Sequence, residues 1–132
     1  QTSNPNSIAQ KAAYEALVGP QDSVKKMHAE FKLRRDYMYE RICSIKNISA
    51  LKPQGAFYLF VDISQLLDKT YNGEKIGDVD KLAKILIEDF NVAVIPCGDF
   101  GFADHIRLSY AISMEQIKKG LDRIEALVNK LV

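Results

Sequence analysis

Cysteine and histidine are scarce in this chain, and their scarcity excludes a good deal. Two cysteines, Cys43 and Cys97, lie far apart in unlike contexts, so there is no disulfide framework. With only His28 and His105 beside them, no metal-ligand spacing can be read, and no metal is expected. A chain that uses cysteine so sparingly fits a reducing compartment, and a cytoplasmic location is the simplest expectation. Charge of one sign is also missing. The formal net charge is +1, whereas a nucleic-acid-binding domain would carry a larger basic excess. No apolar run is long enough to cross a bilayer, and no signal peptide is visible, so a membrane role is not expected.

What is present is material for a core. Nearly half of the 132 residues are hydrophobic, enough for one domain with a real interior. Asn4-Pro5 or Asn6-Ser7 can start a helix with Asn as its cap. Ile8, Ala12, Ala13, Ala16 and Leu17 then recur at helical spacing. Gly19-Pro20 ends this helix, with Gly expected in the left-handed position. A long second helix is expected from Asp22 or Ser23 to Cys43, with Val24, Met27, Phe31, Met38 and Ile42 on its apolar face. At about 1.5 Å per residue it would be roughly 30 Å long.

Residues 48–52 read as a short strand. Ala56-Phe57-Tyr58-Leu59-Phe60-Val61 is the most hydrophobic run and is expected to be a central strand buried on both faces or nearly so. A short helix with Asp62 or Ser64 as cap precedes a loop over residues 70–77, turned at Asn72-Gly73. Asp78 caps a third helix that Asn91 stops. Val92-Ala93-Val94-Ile95 is expected to be a strand ended by Pro96. A glycine-rich loop with one buried-type aromatic, Phe100, follows. His105 to Ala111 alternates, with Ile106, Leu108 and Tyr110 facing a core and Arg107, Ser109 and Ala111 facing away. Ser113 and Gln116 form a capping box for the last helix. The resulting expectation is a two-layer α+β domain. Its sheet of three or four strands, mixed or antiparallel, is covered by helices and preceded by a long bridging helix.

On spacing alone, Arg107 has two readings. One is a solvated or ion-paired arginine on the open face of a sheet. The other is an anion-binding guanidinium on a rigid element, flanked by residues small enough to let a ligand approach. Other residues favour plain roles: Tyr58 as core, His105 as a surface strand-start histidine, Cys97 as an inert thiol, Asp62 as a cap. Lys11 and Lys25 read as solvated helix lysines.

Five motifs in register change the weighting. They are Ser3-Asn4-Pro5, Arg34-Arg35-Asp36, Pro53-x-Gly55-Ala56-Phe57-Tyr58, Val92-Ala93-Val94-Ile95-Pro96 with Phe100-Gly101, and Ile106-Arg107-Leu108-Ser109-Tyr110-Ala111. Together they resemble the C-terminal third of fold-type-I, pyridoxal-phosphate-dependent aminotransferases of the aspartate aminotransferase-like class. The likeness covers nearly the whole chain. It departs at two points: Cys97 stands after the proline where the family usually has Gly, with Gly98 one residue later, and the family's cofactor-binding groups are absent.

The resemblance implies that Arg107 grips the α-carboxylate of an amino-acid substrate, and that Phe100-Gly101 belongs to a loop lying over it. It also implies that Ser3 and Asn4 sit near a subunit interface, on the cofactor side of a partner subunit. Residues 1–20 would end a large cofactor-binding domain. Residues 21–132 would be the bridging helix and small domain. The Schiff-base lysine and the phosphate-gripping groups of the family match nothing here. The chain, which starts with Gln and not Met, is therefore expected to be part of a longer homodimeric protein. That protein would use pyridoxal phosphate to exchange amino groups between amino acids and 2-oxo acids. No cofactor is expected on this part alone, and alone it should not transaminate. Aspartate, aromatic, alanine and methionine specificities share these motifs, so the likeness implies the reaction and not the side chain. Two other readings are the ligand-sensing aminotransferase-like domain of a transcription regulator and a free-standing α+β binding module. The upstream coding sequence separates all three.

Overall fold

The structure, a computed structural model, describes residues 3–132. It divides into two compact units, one ending at Glu30 and the other running from Phe31 to Val132.

The first unit contains helix α1 (Ser7–Val18) and the start of α2 (Asp22–Ser44). Asn6 caps α1, its side chain accepting a hydrogen bond of 2.8 Å from the Ala9 N–H. Gly19 does end the helix but is not left-handed: φ is −73° and ψ 179°. The following Pro20 explains this, because a residue before proline is driven to extended backbone. Glycine is needed there for a different reason. Its N–H donates to the Glu15 carbonyl at 2.8 Å, and a Cβ on Gly19 would meet that oxygen at 2.5 Å. No residue of α1 is buried, and Ile8 and Leu17 are each 82% exposed.

The second unit holds the core. Its sheet has four strands in the order β1 (Ser49–Ala50), β2 (Tyr58–Asp62), β6 (His105–Ser109), β5 (Ile95–Pro96), and every pairing is antiparallel. The later part of α2 contributes Met38 and Ile42. Helix α3 (Val79–Phe90) contributes Val79, Leu82, Leu86 and Phe90, and α4 (Met114–Val128) contributes Ile117, Leu121, Ile124, Leu127 and Val128. These side chains cluster with Leu59 and Val61 of β2 and Ile106 and Leu108 of β6. The expected two-layer α+β arrangement is therefore present, with a wholly antiparallel sheet. The caps on both helices are as the sequence implies. Asp78 accepts from the Lys81 N–H, Ser113 accepts from the Gln116 N–H, and Asn91 adopts φ 53° and ψ 46°.

Four expectations need correction. Strand β2 is not buried on both faces: Leu59 and Val61 are buried, but Phe60 is 36% exposed. Helices cover one side of an antiparallel sheet and leave the other open, so alternation governs burial even in a uniformly apolar run. The strand expected at residues 92–95 is only Ile95–Pro96, because β5 pairs with β6 just at Arg107 and Ile106. Pro96 is tolerated there as an edge-strand residue. Val24 and Met27 of α2 are exposed, at 50% and 54%. Residues 70–77 are not an open loop. They form a hairpin of β3 (Thr70–Tyr71) and β4 (Glu74–Lys75), in which Asn72 and Gly73 both take positive φ.

The Arg-Arg-Asp motif of α2 has a structural task. Arg35 donates from Nε and Nη2 to Asp36 Oδ1 at 3.0 and 2.8 Å, and from Nη1 to the Pro53 carbonyl at 3.3 Å. Lys52 reaches the same carboxylate oxygen at 2.9 Å. The motif thus ties α2 to the segment that leads into β2. The hydrogen bond from Lys52, with that from Arg35 next, lowers the Asp36 pKa from its ordinary value. A carboxylate with a depressed folded-state pKa stabilises the fold above its unfolded pKa, and that contribution disappears as pH falls through the folded value. Asp36→Asn is therefore expected to flatten part of the acid limb of a stability-against-pH profile below pH ~4. Urea melts across that range check this. An unaltered acid limb in Asp36→Asn would show that the lysine and arginine contacts do not hold in solution.

Candidate functional site

Arg107 sits at the middle of β6, between Phe60 of β2 and Ile95 of β5 in the register. A central strand paired on both sides is the most rigid support this sheet offers. Ile106 and Leu108 turn into the core, 2% and 6% exposed, which obliges Arg107 and Ser109 to face the side without helices. Tyr58 on β2 lies opposite Ser109, so it is the diagonal neighbour of Arg107 on that face.

The guanidinium lies between two aromatic rings. Its Cζ is 4.6 Å from the centre of the Tyr58 ring and 5.3 Å from that of Phe100. Among the described residues no carboxylate pairs with Arg107, and its buried Nε has no hydrogen-bond partner. It borders a recess of about 450 Å³ lined also by Phe57, Tyr58, Val94, Ile95 and Ser109. This is neither a freely solvated arginine nor one neutralised by an ion pair. It is a half-buried cation whose charge is not spent on any described acid, and Ser109 leaves room beside it as the sequence suggested.

Phe100 reaches the guanidinium from a single 3-10 turn, Gly98–Phe100. Gly101 closes the turn with φ 84°, and its N–H donates to the Gly98 carbonyl at 2.9 Å. Cys97 anchors the turn's base. Its N–H donates to the His105 carbonyl at 3.0 Å, and its own carbonyl accepts from the Phe100 and Phe102 N–H groups. The Cys97 thiol is buried, and burial pushes its pKa up against the opposing pull of Arg107, as an inert thiol requires. Phe100 itself is 59% exposed, not buried as its type suggested. It covers a cation, not a core.

On the other side, Tyr110 fixes the entry to β2. It is buried, its hydroxyl donates to the Ala56 carbonyl at 3.0 Å, and its N–H donates to the Phe57 carbonyl at 2.9 Å. Ala56 is held at φ 59°, a conformation costly for alanine, immediately ahead of Phe57 and Tyr58.

The remaining expectations fall out as follows. Tyr58 is not core: it is half-buried with its ring against Arg107. Sequence reasoning missed it because a diagonal cross-strand contact depends on register. The usable signal was Asp62, a charged residue in phase with Tyr58 and Phe60. Asp62 ends β2, and Ile63, not Asp62 or Ser64, is the N-cap of the following 3-10 turn (Ser64–Leu66), which has no side-chain cap. Asp62 Oδ1 still accepts from the Ser64 N–H at 2.8 Å. His105 is stacked on Phe60 and bonded through Nδ1 to Asp104 at 2.6 Å. The pairing of Asp62 with His105 brings Asp62, Asp104 and His105 together, a grouping that no linear spacing displays. Ser3 and Asn4 are exposed residues of the first unit, whereas the Arg107 site is built within the second.

Comparison with known proteins decides the family. Residues 1–124 match the family model described as aminotransferase class I and II. The chain belongs to that family. It is 42% identical over 127 residues to an aspartate aminotransferase of Bacillus sp., covering 96% of this chain and 31% of that protein. A probable aspartate/prephenate aminotransferase of Rickettsia felis is also 42% identical, over 94% of this chain and 31% of its own length. Among solved structures, the aspartate aminotransferase of Rhizobium meliloti superposes with a TM-score of 0.91 at 37% identity, over 99% of this chain and 33% of that one. An alanine aminotransferase of Pyrococcus furiosus gives 0.81 at 31% identity, over 95% of this chain and 30% of that one. The chain thus spans about a third of the length of the relatives it matches. Among its described residues no helix is long and apolar enough to cross a membrane.

Proposed function

We propose that the chain is the bridging helix and small domain of an aminotransferase that moves an amino group between an amino acid and a 2-oxo acid. In this reading Arg107 binds the substrate α-carboxylate. The observation that carries the assignment is the Arg107 guanidinium, fixed on a central strand, over the rings of Tyr58 and Phe100 and beside an open recess, with no described acid neutralising it. A planar cation so placed presents its paired N–H donors along one edge, which is the geometry of a bidentate carboxylate contact. Two-point binding sets the orientation of the Cα–H bond that must be broken, and orientation is worth more to the reaction than affinity.

The whole protein is proposed as a cytosolic homodimer using pyridoxal phosphate. The residues lining the Arg107 recess do not by themselves fit that cofactor. No lysine lines it to condense with the aldehyde, and its one cation, Arg107, is the group this reading gives to the substrate carboxylate. In this proposal the cofactor and its lysine belong to the large domain that the longer relatives possess, and Phe100-Gly101 lies over the bound substrate. No step through the cofactor is assigned to residues of this chain.

Simple carboxylates provide the test. In the full-length protein, 2-oxo acids and unreactive carboxylates should compete with amino acids. Arg107→Gln should raise their inhibition constants by about tenfold or more, the loss typical of a charge-assisted hydrogen bond. Inhibition by amines lacking a carboxylate should be unchanged. Undiminished carboxylate inhibition in Arg107→Gln would remove the assignment.

A further inference from the structure

The two rings around Arg107 are not equivalent. Phe100 is an exposed residue of a short turn. Tyr58 is part of β2, held in register against β6 and half-buried, and its ring is the nearer one at 4.6 Å. A second aromatic, Phe57, packs on Tyr58 edge-on, with centroids 4.5 Å apart and planes at 61°. Tyr58 therefore has a fixed backbone, a ring braced by its neighbour, and a cation on its face.

An arginine side chain has several soft torsions, so a fixed Cα does not fix the plane of its guanidinium. Something must set that plane before a carboxylate arrives, or ordering the fork costs binding energy. A carboxylate neighbour would set it but would occupy the same N–H donors the ligand needs. An aromatic face sets it without using them, because a cation–π contact engages the flat face and leaves the edge open.

We propose that Tyr58 is a positioning residue, the rigid wall against which the Arg107 guanidinium is laid so that its donor edge is turned ready-made to a substrate carboxylate. This rests on the reading of Arg107 as the carboxylate anchor and adds how that anchor is oriented. The ring does the work and the hydroxyl is dispensable.

The test uses the full-length holoenzyme with Tyr58→Phe, Tyr58→Leu and Arg107→Gln. Its main readout is equilibrium binding of an unreactive carboxylate, a 2-methyl amino acid or a dicarboxylate, followed by the cofactor's absorption. KM and kcat for an amino acid and for its decarboxylated amine are measured alongside. Tyr58→Phe should bind the carboxylate within about twofold of the parent. Tyr58→Leu should bind it about five- to thirtyfold more weakly, the span of a cation–π contact in a partly desolvated site. KM for the amino acid should rise with it, and KM for the amine should not. Should Tyr58→Leu fail to fold, Tyr58→Met makes the same comparison.

A Leu variant that binds the carboxylate as tightly as the parent and the Phe variant would overturn the positioning role. So would a Phe variant as weak as Leu, which would assign the effect to the hydroxyl, or equal losses for amine and amino acid, which would make Tyr58 merely structural. Arg107→Gln separates the two layers of the argument. If it leaves carboxylate binding intact, the anchor reading fails. If it abolishes binding while Tyr58→Leu does nothing, only the role of Tyr58 fails.

Discussion

Arg107→Lys in the full-length protein is expected to lower kcat/KM for α-amino acids by about 2–4 kcal/mol, roughly thirty- to a thousandfold. The charge survives the substitution, so a mere need for a positive potential would be met. What is lost is the planar fork. An ammonium contacts a carboxylate as a point charge and leaves it free to swivel, and it also stacks less well between the rings of Tyr58 and Phe100. Orientation at Cα should suffer more than binding, so kcat should fall along with KM rising. An amine without a carboxylate never uses the contact and should lose little. The cofactor's absorption band should not change, because Arg107 is not proposed to touch the cofactor. Equal losses for amine and amino acid would mean that Arg107 supports the fold, and the carboxylate assignment would be dropped.

The parts of this architecture that were legible in sequence are those set by local chemistry. Asn6, Asp78 and Ser113 cap helices because a short polar side chain before an apolar stripe has one obvious use. Asn91 stops α3 for the matching reason at the other end. The alternation from Ile106 to Tyr110 correctly divided β6 into a buried and an open face. One failure was local: Gly19 took its conformation from the proline after it and from the Glu15 carbonyl one turn back. The others depended on a partner distant in sequence. Val92 to Val94 had β propensity but no strand to pair with, since β6 engages only Ile95 and Pro96. Tyr58 was assigned to a core by residue type and Phe100 to a loop, yet the two meet on a single cation outside the core. That Arg107 faces away from the core was readable from the strand pattern. Its aromatic setting was not, because two non-adjacent segments create it.

Neighbouring residues of β2 allow the one-sided burial of the sheet to be measured. Leu59 has no exposed surface and lies in the core cluster with the α4 and α3 side chains. Phe60, next in sequence, is on the opposite face and 36% exposed, where it stacks with His105 and meets Phe102 edge-on at 5.1 Å. Leu59→Ala removes three carbons from a packed interior and leaves a cavity that the strand cannot close, since both its neighbours are hydrogen-bonded in register. The expected cost in this 132-residue chain is about 2–5 kcal/mol by urea unfolding, enough to consume much of the stability of a typical domain. Phe60→Ala deletes more atoms but uncovers only an aromatic cluster already in contact with water, and is expected to cost about 1 kcal/mol. Residue size alone predicts the opposite order. A strand buried on both faces would give two large and similar losses, so a Phe60→Ala cost matching that of Leu59→Ala would restore the two-sided strand and refute an open face around Arg107.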